Sequence, residues 1–217
     1  MSSTSRQPHS TRRQLRSTPQ QKRAYRMAAR AEAAAETRAR LLSAAWQHFA
    51  DRPYEDVLLR EIAADAEVSA QTLHTAFGSK EQLFTAAYTW WGERVIAGRE
   101  AAPVGRVSEA IANLFDTYEA HGAAVLRMLS QEERIPAVRE MTSVGRAYHS
   151  AWAAKTFAPL LRGLRGSARE RRLSAIIVAT DLQVWKLLRH EMGHERPKAE
   201  RIVIEMVSAS PAASLPT

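Results

Sequence analysis

The stretch that most limits how this chain can fold runs from Leu58 to Leu83, LLREIAADAEVSAQTLHTAFGSKEQL. Leu59, Ile62, Ala63 and Ala66 fall on one helical face, which predicts a short helix over 59–66. Glu67 and Val68 read as a turn. Ser69 stands where an N-cap belongs, its hydroxyl able to accept an orphan backbone N–H. A second helix is predicted over 70–77, with Leu73 and Phe77 on its apolar side. Gly78 suits a left-handed C-terminal position. Ser79 is expected to cap the next helix, with Gln82 where a capping box wants Glu or Gln.

Two short helices around a tight turn bury little by themselves. The far face of the second carries Gln71, Thr72, His74 and Thr75, short hydrogen-bonding side chains that suit base edges in a major groove. The spacing therefore predicts a helix-turn-helix, with Leu73 and Phe77 as core residues rather than readers.

Charge placement points the same way. The chain has 217 residues and a formal net charge of +8. Residues 1–30 hold eight Lys or Arg and no acid, whereas the remainder balances 23 basic against 23 acidic residues. A basic arm beside a DNA-reading helix adds phosphate contacts; the blander reading is a solvated tail. Hydrophobic content of 45% supports a real core. The absence of Cys excludes a disulfide framework and Cys-ligated metal. With no long apolar run and no apolar leader, a cytoplasmic protein without a membrane span is expected.

Along the chain, helix is predicted from a start between Tyr25 and Ala31 through Leu41, Leu42, Ala45, Trp46 and Phe49 to Pro53. The helix opened by Ser79 should reach about Gly98. Val107 to Tyr118 shows helical spacing, and Gly122 is read as separating it from Val125–Gln131. Pro136 opens a long helix through Phe157. Ser167 to Met192 reads as one long helix, and a last one holds Ile202, Ile204, Met206 and Val207. No stretch reads as strand.

The residues from Ala39 to Leu83 resemble the DNA-binding domain of the TetR/AcrR family of one-component repressors. Phe49, Tyr54, Ile62–Ala63, Val68–Ser69, Thr72–Leu73, Phe77 and Lys80–Glu81–x–Leu83 carry the resemblance. The chain departs from that pattern at Glu67 and Pro53, where the family has Gly, at His74, where it has Tyr, and at Leu58 in place of a Ser or Thr cap. A non-Gly residue at positive φ in the turn costs roughly 1 kcal/mol.

The resemblance implies an all-α protein. A basic, disordered tail over 1–30 precedes a three-helix helix-turn-helix domain over 31–88. An all-helical effector-binding and dimerisation domain follows over 89–209, and a loose tail over 210–217. It implies DNA contacts from Arg60, Ala70, Gln71, Thr72, His74, Thr75 and Lys80, the last as a phosphate ligand. It also implies a small-molecule effector, for which Trp91, Phe115, Tyr118, Met128, Trp152 and Trp185 are candidate lining residues; ordinary core is the alternative for each. The final two helices would pair with a second copy, so that two recognition helices read a palindromic operator. No catalytic residue, cofactor or metal is expected.

One motif stands outside that reading. His190-Glu191-Met192-Gly193-His194 matches H-E-x-x-H, the zinc-hydrolase helix motif. It lies at a helix end with Gly193 inside it, and only Glu195, Glu200 and Glu205 follow as third ligands. A polar helix C-terminus is the competing reading. Two rivals to a DNA-binding repressor thus stand at this stage: a zinc hydrolase, and a dimeric interaction module with weak or non-specific DNA binding.

Overall fold

The computed structural model describes residues 19–209, and every regular element among them is helical. They divide into two units, one ending at Ala39 and one beginning at Arg40. Helix α1 (Pro19–Asp51) supplies all of the described part of the first. There Tyr25 and Met27 are exposed, and the Thr37 hydroxyl donates to the Ala33 carbonyl at 2.8 Å. The helix starts ahead of the expected window, so residues 19–30, expected as disordered tail, are helical. Pro19 is at home in a first turn, and the Ala-, Gln- and Arg-rich run behind it has high helix propensity. The tails over 1–18 and 210–217 lie outside the described residues.

The second unit begins with the rest of α1. Leu41, Leu42, Ala45, Trp46 and Phe49 are buried there. A 3-10 turn over Tyr54–Asp56 leads to α2 (Leu59–Asp65) and α3 (Ala70–Phe77). Helix α4 (Lys80–Glu100) follows, 21 residues long. The rest is α5 (Val107–Leu129), α6 (Pro136–Thr156), α7 (Gly166–Ala179), α8 (Leu182–Lys186) and α9 (Arg196–Ser208). Helix α5 is central and packs against α4, α6, α8 and α9.

Two apolar clusters fill this unit. One joins α1, α2, α3 and the first half of α4 to Met128, Ile135, Val138 and Met141. The other gathers α5 to α9 around Ile111, Leu114, Phe115, Trp152, Phe157 and Ile176. The first is unusually aromatic. Trp46 stacks on Trp91 at 4.0 Å, and Phe84 meets Phe49 edge-on at 5.0 Å and Tyr54 at 5.3 Å. Such pairs add about 0.5–1.5 kcal/mol each beyond the area they bury.

Two sequence expectations give way here. Helix α5 runs unbroken through Gly122. The glycine is a close approach, not a break: a Cβ there would lie 2.8 Å from the Trp185 ring and 3.2 Å from Leu182 Cδ1. The single helix expected over 167–192 is interrupted at Thr180–Asp181. Asp181 caps α8, its carboxylate accepting from the Gln183 N–H at 2.8 Å, the cap signal that an apolar run had hidden. A π turn over Leu187–Glu191 then ends at Gly193, whose φ is +64°. Among the described residues no helix is long and apolar enough to cross a membrane.

Candidate nucleic-acid interface

The presenting elements are α2, the turn Ala66–Ser69 and α3. Ile62, Ala63, Ala66, Leu73 and Phe77 are all buried, which fixes α2 and α3 against α1 and α4. Polar contacts add direction. Arg52 donates to Glu61 at 2.6 Å, and the His48 Nε2 lies 2.6 Å from the Asp65 carboxylate, so the last turn of α1 and the residue that follows it hold both ends of α2. Arg40 Nε donates to the Ala66 carbonyl at the helix end.

The turn has the geometry its residues predict, with one strained member. Glu67 takes φ of +57°, the sole positive-φ non-glycine among the described residues. Leu58 precedes α2 without a side-chain cap. Ser69 does cap α3, its Oγ accepting from the Thr72 N–H at 3.0 Å. Ser79 caps α4 in the same way through the Gln82 N–H at 3.1 Å. Gly78 closes α3 with φ of +73°.

Each sequence-predicted reader can now be placed. Ala70, Gln71, Thr72, His74 and Thr75 are exposed along α3, and Arg60 is exposed on α2. Gln71 and Thr75 stand one turn apart: the Thr75 hydroxyl donates to the Gln71 carbonyl at 2.8 Å, and Gln71 Nε2 lies 3.4 Å from Thr75 Oγ1. Thr72 shares its hydroxyl with Ser69 at 2.8 Å. Lys80 is half-buried at the start of α4. Its ammonium donates to the Glu55 carbonyl at 3.1 Å and lies 4.8 Å from the centre of the Tyr54 ring. Partial burial pulls its pKa below the ordinary value, against the opposing pull of Asp56 and Glu55. Helix α3 presents amide, hydroxyl and imidazole groups and the start of α4 an ammonium, the donor and acceptor set that base edges and phosphates require.

The proposed effector-lining residues do not meet in one place. Trp91 and Met128 belong to the first cluster, with Trp91 against Trp46. Phe115, Trp152 and Trp185 belong to the second. Tyr118 packs beside that second group, its hydroxyl donating to the Thr180 carbonyl at 2.8 Å while burial raises its pKa. In the H-E-x-x-H stretch, His190 lies on the π turn edge-on to Trp185 at 4.8 Å, and His194 lies beyond its end. Glu191 pairs with Lys186 at 2.8 Å. Among the described residues no group of three or more His, Asp or Glu side chains is placed to hold a metal ion.

A further polar constellation in the body escaped the sequence reading. Arg99, at the end of α4, is buried and donates from Nη2 to His149 Nδ1 at 3.1 Å. His149 Nε2 reaches Thr180 Oγ1 at 3.2 Å. A usable signal existed: Arg99 continues the four-residue stripe of Leu83, Ala87, Trp91 and Val95, which runs down the apolar face of α4.

Comparison with known proteins agrees with this geometry. Residues 41–87 match the family model described as bacterial regulatory proteins, tetR family. No protein of curated function matches the chain. Among solved structures, a tetR-family transcriptional regulator from Streptomyces coelicolor superposes with a TM-score of 0.60 at 17% identity, over 79% of this chain and 77% of that one. A TetR-like transcriptional regulator from Rhodococcus sp. RHA1 gives 0.58 at 20% identity, over 79% and 93%. A putative TetR-family regulator from Rhodococcus sp. gives 0.60 at 15%, over 80% and 97%. At such identities the superpositions speak for the fold alone. Residues 41–87 thus match the DNA-binding head of the tetR family, and the chain as a whole has the fold of the TetR-like regulators it superposes on.

Proposed function

We propose that the protein is a homodimeric repressor that reads a palindromic operator in duplex DNA and answers to a small-molecule effector. Residues 31–88 act as the reading head and 89–209 as the effector-binding and dimerising body. The observation that carries the reading is the division of α3: Leu73 and Phe77 are buried, whereas Gln71, Thr72, His74 and Thr75 face outward. Gln71 and Thr75 take the base edges, Ala70 approaches a thymine methyl, and Arg60 and Lys80 hold phosphates.

A single eight-residue helix contacts too few base pairs for useful specificity, which favours a paired molecule. Val178, Leu187, Met192 and Met206 support pairing, since these large apolar side chains on α7 to α9 and their π turn are exposed. In a pair, two α3 helices must meet successive major grooves about 34–36 Å apart. An effector releases the DNA if it binds better to a geometry that breaks this spacing, and only by that difference in affinity. The protein works in the cytoplasm and carries out no catalysis.

Selection of bound sequences from random duplex DNA by the full chain tests this. The expected result is an inverted repeat whose enrichment survives at physiological salt. Retention of all sequences alike would refute it.

A further inference from the structure

We infer that the body recognises an organic carboxylate, with Arg99 as its ion-pair partner. The inference rests on reading the body as effector-binding and names the chemistry of what binds there. Arg99 is 5% exposed, and among the described residues it pairs with no carboxylate. Two acids bear on the Arg99–His149 pair, Glu100 on Arg99 and Asp181 on His149, and both are engaged elsewhere. Glu100 pairs with Lys155, and Asp181 caps α8. His149, which accepts the Nη2 proton, is neutral: burial and the Arg99 charge push its pKa down to about 4. The guanidinium is therefore buried with no carboxylate in contact, its charge offset only by the more distant Glu100 and by two ring faces.

The neighbouring groups are those that would hold an anion with an apolar body. The Arg99 guanidinium lies 4.2 Å from the centre of the Trp152 ring and 5.3 Å from that of Tyr148. Arg99 Nε and the Tyr148 hydroxyl, both donors, are buried without a hydrogen-bond partner; Asn113 Oδ1 is unpartnered too, but as an acceptor it gives an anion nothing. They come from α4, α6 and α5 and gather at the last turn of α4. There Asn113 Nδ2 donates to the Gly98 carbonyl at 3.0 Å and Trp152 Nε1 to the Arg99 carbonyl at 3.4 Å. A carboxylate accepts from a guanidinium and a phenol together, and charge-assisted bonds of this kind are about twice as strong as neutral ones. Along α4 the site lies roughly 28 Å from Lys80, at 1.5 Å per residue, so one straight helix carries both the anion partner and the proposed phosphate ligand.

The test titrates the full chain with aliphatic and aromatic monocarboxylates of two to twelve carbons, each beside its neutral primary amide. Intrinsic tryptophan fluorescence and thermal melting are the readouts. At least one acid is expected to bind about tenfold or more tightly than its amide. Arg99→Met should erase the difference, and Arg99→Lys should retain part of it. The inference is overturned if no acid in the set outbinds its amide, or if Arg99→Met leaves the preference intact. Should Arg99→Met fail to fold, the wild-type comparison of acid with amide decides by itself. The outcome is separable from that of the DNA selection. Acid preference without a selected DNA sequence would leave the anion site standing and remove the repressor; a selected operator without acid preference would do the reverse.

Discussion

Lys80 and Gln71 stand at adjoining helix starts and are expected to act on different parts of a duplex. Lys80 is braced by Glu55 and Tyr54, which fixes a point charge without directing it at a base. Lys80→Ala should weaken binding to all sequences alike and lower the salt slope by about one ion. Gln71→Ala and Thr75→Ala should instead relax sequence preference, by about 1–3 kcal/mol per base contact. Competition titrations across several salt concentrations separate the two effects; the opposite pattern would reverse the assignment. His149 makes a second prediction. Burial first, then the Arg99 charge, hold its pKa at about 4, against an ordinary value of 6.5. Ile177 and Asp181 pull weakly the other way, and Trp152 and Thr180 complete its surroundings. Between those two pH values the unfolded chain binds a proton that the folded chain refuses. Stability is therefore full above pH 6.5 and falls as the pH drops towards 4, by on the order of 3 kcal/mol. Denaturant melts at pH 7 and pH 4.5 should show a smaller acid loss for His149→Gln than for the wild type; equal losses would contradict the assignment.

At the scale of the element, the head was the most legible part. Ser69, Gly78 and Ser79 each announce a helix boundary through a local hydrogen bond or a positive φ, and such signals need no knowledge of distant contacts. The strain at Glu67 was readable only through the resemblance, which has Gly at that position. Features that depend on a partner helix were not readable. Gly122 looks like a break until Trp185 is seen against it. The π turn over Leu187–Glu191 follows from how α8 must close on Gly193, and nothing in LLRHE specifies it. Gly122→Ala gives a direct test. In a free helix the change would stabilise by up to about 1 kcal/mol. Here the new methyl meets a Trp185 ring that is 4% exposed and also touches Glu119 and His190. Overpacking of this kind costs about 1–3 kcal/mol, so a net loss in chemical denaturation is expected. A gain would mean that α8 moves away freely.

Across the whole molecule, the proposed function joins a reading head, a sensing body and a symmetric mate. The all-helical architecture and the tetR-like head were legible because the helix-turn-helix spacing is dense with specific residues. The body was legible only as helices. Its aromatic residues divide between two clusters, and the group with the clearest chemical demand, Arg99, looks like an ordinary solvated helix-end arginine in a linear sequence. The central claim is that two copies of α3 read two halves of one site. It is tested most directly by sedimentation and affinity measurement on the selected duplex, beside duplexes with either half-site scrambled, at one fixed salt concentration. The account predicts two chains per intact duplex and an equal, large loss of affinity when either half is scrambled. One chain per duplex, or the same affinity for intact and scrambled sites, would contradict it.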